Sequence, residues 1–254
     1  MIADNHNHII YDDINSMVKA AKVKQLQRFS VTEHISQFKK PRSSIPFGSV
    51  HSKGRMFSDF EEYLLEFENL EDNGQEINRG LEVDFSPKFV SVVSGFVNEI
   101  KWDILLLSVH ELENGLDVES KNLPQDKESS ENRWREYIKL QESALTNDII
   151  PFQVLTHPVR LGRSTQIVPE DIDQLLIDLA ILAKKEKKAL ELNGNDVTRD
   201  YILVERLARA CSVAGCEISF GSDAHHPNEV GRGFEQVSEL VNRFNLKERQ
   251  IHVK

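Results

Sequence analysis

Short apolar runs rich in β-branched residues alternate along the chain with longer stretches whose apolar positions recur every three or four residues. The first kind reads as strands and the second as amphipathic helices. Seven strands are expected: Ile2 to Asn5, Phe29 to Glu33, Ile77 to Asp84, Ile104 to Val109, Phe152 to Thr156, Ala189 to Asn193 and Glu217 to Gly221. Three helical stripes stand out between and after them. Ile172, Leu175, Leu176, Leu179 and Leu182 form one, and Tyr201, Val204, Leu207, Ala208 and Cys211 a second. Val230, Phe234, Val237, Val241 and Phe244 form the third. Strands alternating with helices imply a parallel sheet with right-handed crossovers. The run Ile104-Leu105-Leu106-Leu107 has no polar face, as expected of a strand covered on both sides. The expected fold is therefore α/β, a closed barrel of seven strands in one domain over residues 1–254, with an open doubly wound sheet as the alternative.

Neither a repeat nor a low-complexity linker divides the chain. Two segments between elements are long. Gln37 to Ser58 carries Lys39, Lys40, Arg42, Lys53 and Arg55 and no acidic residue, whereas Glu113 to Asn132 is polar and mostly acidic. Both follow a strand, which places them on the face where strands end. The basic segment is read as a plain surface loop or a lid over phosphate, and the acidic one as a partner for an amine.

Composition narrows the function. The formal net charge of −10 over 254 residues argues against a sequence-blind grip on nucleic acid phosphates. Local contact with a nucleic acid end stays open, because bound cations reverse the sign inside a site. No apolar run approaches the roughly 18 residues of a membrane span. The N-terminus lacks the basic region of a signal peptide, so a cytoplasmic protein is expected. The only cysteines, Cys211 and Cys216, are read as buried reduced thiols.

The chemistry lies at the strand ends. Six of the nine histidines fall at or just past the end of an expected strand: His6, His8, His34, His110, His157 and His225. Glu82 ends the third strand and Asp223 follows the seventh. In a barrel these ends converge on one mouth. Residues two apart on a strand share a face, so His6 and His8 can reach one ion, as can Asp223 and His225. Imidazole and carboxylate together suit zinc, manganese or iron, and this many ligands suit two or three divalent ions. A carboxylate such as Glu82 can bridge two of them. Asp13 is either a further ligand or the N-cap of a helix that begins at Ile14. Asp4 either orients a histidine from behind or is only a solvated carboxylate; Glu33 either orients one or is only a strand-end carboxylate; Glu191 and Asn193 either orient one or are barrel-end hydrogen-bonding groups. His51, His226 and His252 are read as surface residues. Gly-rich phosphate loops and a Gly-x-Ser-x-Gly elbow are missing from the sequence.

Taken in order, Asp4-x-His6-x-His8, Thr32-Glu33-His34, Gly80-Leu81-Glu82-Val83-Asp84, Ser108-Val109-His110, His157-Pro158, Glu191-Leu192-Asn193 and Gly221-Ser222-Asp223-Ala224-His225 resemble the PHP (polymerase and histidinol phosphatase) family. Phe60 to Phe85 and Trp102-Asp103 are most similar to its histidinol-phosphatase branch. The resemblance implies a distorted, TIM-like seven-stranded barrel with a site for three ions. It assigns His6, His8, Glu82 and Asp223 to the first ion, Glu82, His110 and His157 to the second, and Asp13, His34 and His225 to the third. The chain departs from the family's pattern in three places: Asp12-Asp13 where a histidine is common, Thr-Glu-His in the second motif, and Glu111 after His110.

A phosphomonoester suits such a site, with Asp223 and His225 at the reaction and Arg160 and Arg199 as cationic partners for the phosphoryl oxygens. The expected activity is phosphoric monoester hydrolysis of a small substrate, led by L-histidinol phosphate of histidine biosynthesis. The rivals are a nucleotide or nucleic-acid-end phosphoesterase, an amidohydrolase-type C–N hydrolase and a non-catalytic metal-binding regulator. No lysine falls at an expected strand end, which weighs against the amidohydrolase.

Overall fold

Each apolar run becomes a strand because its side chains find cover on both faces. The computed structural model describes residues 3–46, 53–70, 74–120, 125–165 and 167–251. Its strands are β1 (Ala3–Asp4), β2 (Arg28–His34), β3 (Glu76–Asp84), β4 (Ile104–Ser108), β5 (Val154–Leu155), β6 (Ala189–Asn193) and β7 (Glu217–Gly221). They pair in that order and every pair is parallel. The two ends of the sheet then meet. Asn5 N donates to Phe220 O at 2.9 Å, Asp223 N to His6 O at 2.9 Å, and His8 N to Ala224 O at 2.8 Å. A parallel bridge joins Asn7 to Ala224. The open sheet is thus ruled out in favour of a nearly closed barrel. It is distorted where β1 and β5 contribute only two residues each.

Around it lie α1 (Ile14–Val23), α2 (Lys39–Ser44), α3 (Phe60–Glu68), α4 (Val90–Val97), α5 (Lys127–Leu145), α6 (Ile172–Lys185), α7 (Gly194–Val197), α8 (Tyr201–Ala214) and α9 (Phe234–Arg243). The first two apolar stripes fall on α6 and α8 and the third on α9, with Val230 before that helix and Phe244 just after it; the buried residues include Leu176, Leu179, Val204, Leu207, Val237 and Val241. The strand β4 shows why its run has no polar face. Leu105 and Leu107 pack in the large core shared with the helices, while Ile104 and Leu106 join Val154 and Ala189 in a second, small cluster. A row of buried polar groups crosses neighbouring strands as well. Asn78 Nδ2 donates to Ser30 Oγ at 3.2 Å, Ser30 Oγ to Asn5 Oδ1 at 3.4 Å, and Asn5 Nδ2 to Ser219 Oγ at 3.0 Å.

Asp4 corrects both readings made of it. It is fully buried, and its carboxylate is taken up by groups other than histidine. Its carboxylate accepts from Ser222 N at 2.8 Å, Ser222 Oγ at 2.6 Å and Gly231 N at 3.2 Å, which clasps β1 to the segment after β7. The described parts of the two long segments include helix. α2 forms inside the basic one, and α5 takes over the acidic one from Lys127. Lys40 pairs with Glu99 at 2.6 Å and Arg55 with Glu66 at 2.6 Å, so these cations serve exposed ion pairs. Cys211 and Cys216 are buried free thiols at the end of α8, where Gly215 turns left-handed at φ 69°. Among the described residues no helix is long and apolar enough to cross a membrane.

Candidate metal centre

Strand ends deliver the histidines to one mouth. His6 and His8 follow β1, His34 ends β2, Glu82 and Asp84 end β3, His110 follows β4, His157 follows β5, and Asp223 and His225 follow β7. Two of them need backbone that L residues rarely adopt: φ is 34° at His157 and 54° at Asp223. Each such residue costs about 1–2 kcal/mol. Backbone bonds hold both in place, His157 N to Glu191 Oε2 at 2.8 Å and Asp223 N to His6 O at 2.9 Å.

Glu82 is the hub. Its Oε2 lies 3.2 Å from His6 Nε2, 3.5 Å from His8 Nε2 and 2.8 Å from His34 Nδ1. Its Oε1 lies 3.0 Å from His157 Nε2 and 3.6 Å from His110 Nε2. Asp223 Oδ1 lies 3.6 Å from His8 Nε2 and 4.0 Å from His6 Nε2. The rings of His8 and His34 stack at 4.1 Å and those of His8 and His225 at 4.4 Å. Three overlapping groups have their donor atoms within 4.8 Å of one another: His6, His8 and Glu82; His34, Glu82 and His110; and His8, His34 and His225.

Carboxylates behind the rings aim them. Glu191 Oε1 meets His6 Nδ1 at 2.8 Å while Asn193 holds Oε2 at 3.0 Å. Glu33 meets His8 Nδ1 at 3.3 Å and takes Ile9 N at 2.9 Å. Asp84 meets His110 Nδ1. Each ring thereby turns its other nitrogen into the cluster, the arrangement by which metal-binding imidazoles are oriented.

Electrostatics matches. Burial opposes ionisation of Glu82, but His6, His34 and His110 outweigh it and hold the carboxyl well below its usual range. Burial likewise opposes ionisation of Asp223, yet Arg160 and His8 hold it well below. Burial, helped by His8, pushes His225 down to about 4. His110 goes the other way: burial works against the proton, but Asp84 and Glu82 raise the ring to about 9. His6 Nε2, His8 Nε2 and Glu82 Oε2 are buried and make no hydrogen bond. Buried polar atoms without partners are costly, and a divalent cation would satisfy all three at once. The donor set of imidazole nitrogen and carboxylate oxygen fits such an ion.

Two expected members stand elsewhere. Asp13 is exposed and caps α1, its oxygens taken by Ser16 N at 2.9 Å and Ser16 Oγ at 2.7 Å. His8 stands with His34 and His225 where Asp13 was expected. Arg199 is exposed and bonds Asn195 Oδ1 at 3.1 Å, away from the cluster. Arg160 by contrast is buried against it, its Nη2 2.6 Å from Asp223 Oδ2. His226 is a surface residue beside Asp12, at 3.1 Å, and His51 and His252 lie outside the described residues.

Residues not anticipated complete the mouth. Arg160 Nε and Arg163 Nη2 pair with Asp196 Oδ1 at 2.9 and 2.6 Å, and both arginines donate to Glu119 Oε1 at 2.8 and 3.1 Å. Beside His110 and Asp84 opens a cavity of about 520 Å³ walled by Phe85, Phe89, Val93 and Leu112, with Glu111 and Glu113 along it. Asp84 was within sequence reach, two residues beyond Glu82 on the same strand. Glu119, Arg163 and Asp196 carry no such periodic signal.

A parallel barrel with buried imidazoles and carboxylates gathered at one end defines a metal-binding α/β barrel protein. The model of the PHP domain family matches residues 6–195, and the chain belongs to that family. It is 25% identical over 258 residues to a Thermotoga maritima protein named probable histidinol-phosphatase, covering 95% of this chain and 91% of that one. A Clostridium acetobutylicum protein of the same name is 23% identical, covering 97% and 95%. Among solved structures it is similar to the Lactococcus lactis histidinol phosphate phosphatase complexed with zinc, L-histidinol and phosphate. The TM-score is 0.76 at 19% identity, covering 98% of this chain and 95% of that one.

Proposed function

We propose that the protein is a metal-dependent phosphoric monoester hydrolase and that L-histidinol phosphate is its leading substrate. The observation that carries the reading is a buried guanidinium, Arg160, bonded directly to Asp223 at the edge of the histidine cluster. Donors for cations and a fixed cation of the protein's own thus flank one space, which suits a phosphoryl group with charge on several oxygens. Two or three divalent ions, zinc, manganese or iron, would be held by residues drawn from His6, His8, Glu82 and Asp223, from Glu82, His110 and His157, and from His34 and His225. Such ions, when bound, supply Lewis acidity toward phosphoryl oxygens and lower the pKa of water.

The chain's own residues do the rest. Glu191, Glu33 and Asp84 keep three rings aimed, and Arg160 fixes the Asp223 carboxylate while presenting positive charge beside it. The cavity at His110 takes the organic part of the substrate. Its aromatic walls and the carboxylates of Glu111 and Glu113 suit a ring-bearing amino alcohol, whose ammonium they would meet, better than an oligonucleotide or a nucleoside polyphosphate, whose further phosphates would meet like charge. The names of the relatives and the ligands of the Lactococcus lactis structure agree with this substrate.

Protein stripped of metal and reloaded with manganese or zinc is expected to release phosphate from an aryl phosphate. Histidinol phosphate is expected to lead a panel that includes mononucleotides and short oligonucleotides. His8→Ala and Asp223→Ala are expected to lose metal and turnover together. No turnover with any divalent metal overturns the assignment.

A further inference from the structure

Five charged side chains lie in contact beside the cluster, and one of them differs from the rest. Arg160, Asp196 and Asp223 are buried, with side-chain exposures of 6, 3 and 5%, and Arg163 is part-buried, its side chain 9% exposed. Their charges cancel. Glu119 is the fifth member, 38% exposed, and it is the outward cap: a single oxygen, Oε1, receives Nη1 of Arg160 at 2.8 Å and Nη1 of Arg163 at 3.1 Å. Burial works against its charge, but the two arginines hold the carboxyl down at about 2, so it is ionised at any working pH. Glu119 is thus the most exposed of the five and stands over Nη1 of both guanidiniums.

We propose that Glu119 occupies the seat of a phosphoryl oxygen, acts as a built-in competitor for phosphate, and leaves the arginine pair when the substrate's phosphoryl group arrives. The inference rests on the phosphatase reading above. A phosphate dianion offers more charge and more acceptor oxygens to the paired guanidinium forks than one carboxylate oxygen does. It therefore wins the exchange, but at an affinity reduced by the carboxylate it displaces.

The exchange reaches the substrate's other end. Glu119 belongs to the loop after β4, folded on itself by Leu112 N to Leu116 O at 2.9 Å and Val118 N to His110 O at 2.9 Å. The contacts that staple that loop to the turn carrying the arginines include Glu119 to Arg160 and Arg163, and Ser164 Oγ to Val118 O. The same loop supplies Glu111 to Gly115 to the cavity wall beside His110. Displacing Glu119 removes one of these staples, so phosphate binding loosens the wall against which the organic group rests. Phosphate release lets Glu119 return and restores the wall.

Glu119→Gln keeps the shape and removes the charge. Metal-reconstituted wild type and variant are titrated with inorganic phosphate by calorimetry, and amide exchange of residues 112–120 is followed with and without phosphate. The variant is expected to bind phosphate tighter, on the order of ten-fold. In the wild type, saturating phosphate is expected to speed exchange at the Val118 amide. Equal or weaker phosphate binding by the variant, at wild-type metal content, makes Glu119 a fixed positioning residue and overturns the proposal alone. Slowed exchange at Val118 does the same. If neither form binds phosphate nor turns over any phosphomonoester, the phosphatase reading falls and takes this one with it.

Discussion

Gly221 ends β7 directly under the cluster, and a methyl group there would have no room. A Cβ built on it lies 2.2 Å from His6 Cβ, 2.2 Å from Glu191 Oε1 and 3.3 Å from His6 Cα. Carbon atoms in contact sit about 3.5–4.0 Å apart, so His6 or β7 must retreat by more than about 1 Å. Neither is free to do so. His6 O receives Asp223 N, Asn5 N reaches Phe220 O, and Glu191 is pinned by His6, His157 and Asn193. Overpacking of this kind costs about 1–3 kcal/mol, which for a chain of this size lowers Tm by roughly 3–10 °C. The chemistry suffers more, since a displacement of about 1 Å at a catalytic group costs on the order of 100-fold. Gly221→Ala is therefore expected to fold, to melt somewhat earlier, to hold less metal and to lose about two orders of magnitude in kcat/KM. Gly80→Ala is the control. Its Cβ meets Thr32 Cγ2 at 2.5 Å and Ile104 Cγ2 at 2.7 Å but no ligand, so Tm is expected to drop comparably with metal content largely kept. Metal analysis by plasma emission, calorimetric melting and phosphate release compare the two variants. Wild-type metal content and activity in Gly221→Ala, or equal metal loss in both variants, refutes the reasoning.

Glu191→Gln removes the charge that orients His6 and steadies the left-handed backbone at His157. Metal affinity is expected to fall by about 10–100-fold, read by competition with a chromogenic chelator, and an unchanged affinity counts against the orienting role. Arg199→Ala is expected to leave kcat/KM within about two-fold, because surface positions away from named interactions contribute little; a large rise in KM would return Arg199 to the site. Loading the apo protein with zinc at pH 7 is expected to release protons, because His110, at about 9, and His6, held well above its usual value, must yield theirs to the cation. Burial opposes both protons, but Asp84 and Glu82 raise His110, and Glu191 and Glu82 raise His6. Calorimetry in two buffers of different ionisation enthalpy measures that release, and none detected contradicts the pairing.

The strands were legible because a run such as Ile104 to Leu107, apolar at every position and too short for a helix, suits little but a strand covered on both faces. The histidines were legible because six of them punctuate those runs. What failed did so for local reasons. Asp13 reads alike as ligand or cap until Ser16 is seen to take both its oxygens. Asp4 was weighed as solvated or as a partner to histidine, yet its partners, Ser222 and Gly231, stand at the far end of the chain. Arg199 follows a strand end, but α7 carries it outward. Glu119, Arg163 and Asp196 come from separate turns and meet only in three dimensions, so no spacing announces them. β5 shrank from five expected residues to Val154–Leu155, its ends giving way to irregular backbone that sets the His157 ring.

The seam between β1 and β7 has a consequence for how the protein is made. His6 and His8 are translated early and Asp223 and His225 late, and the barrel joins them only when the two terminal strands meet. Contacts this distant in sequence form slowly, so the pocket is complete only once the seam has closed. An ion that bound only the closed barrel would draw it shut by mass action. Metal supply would then set how long a newly made chain lingers with its edges open and prone to aggregation, before it set any reaction.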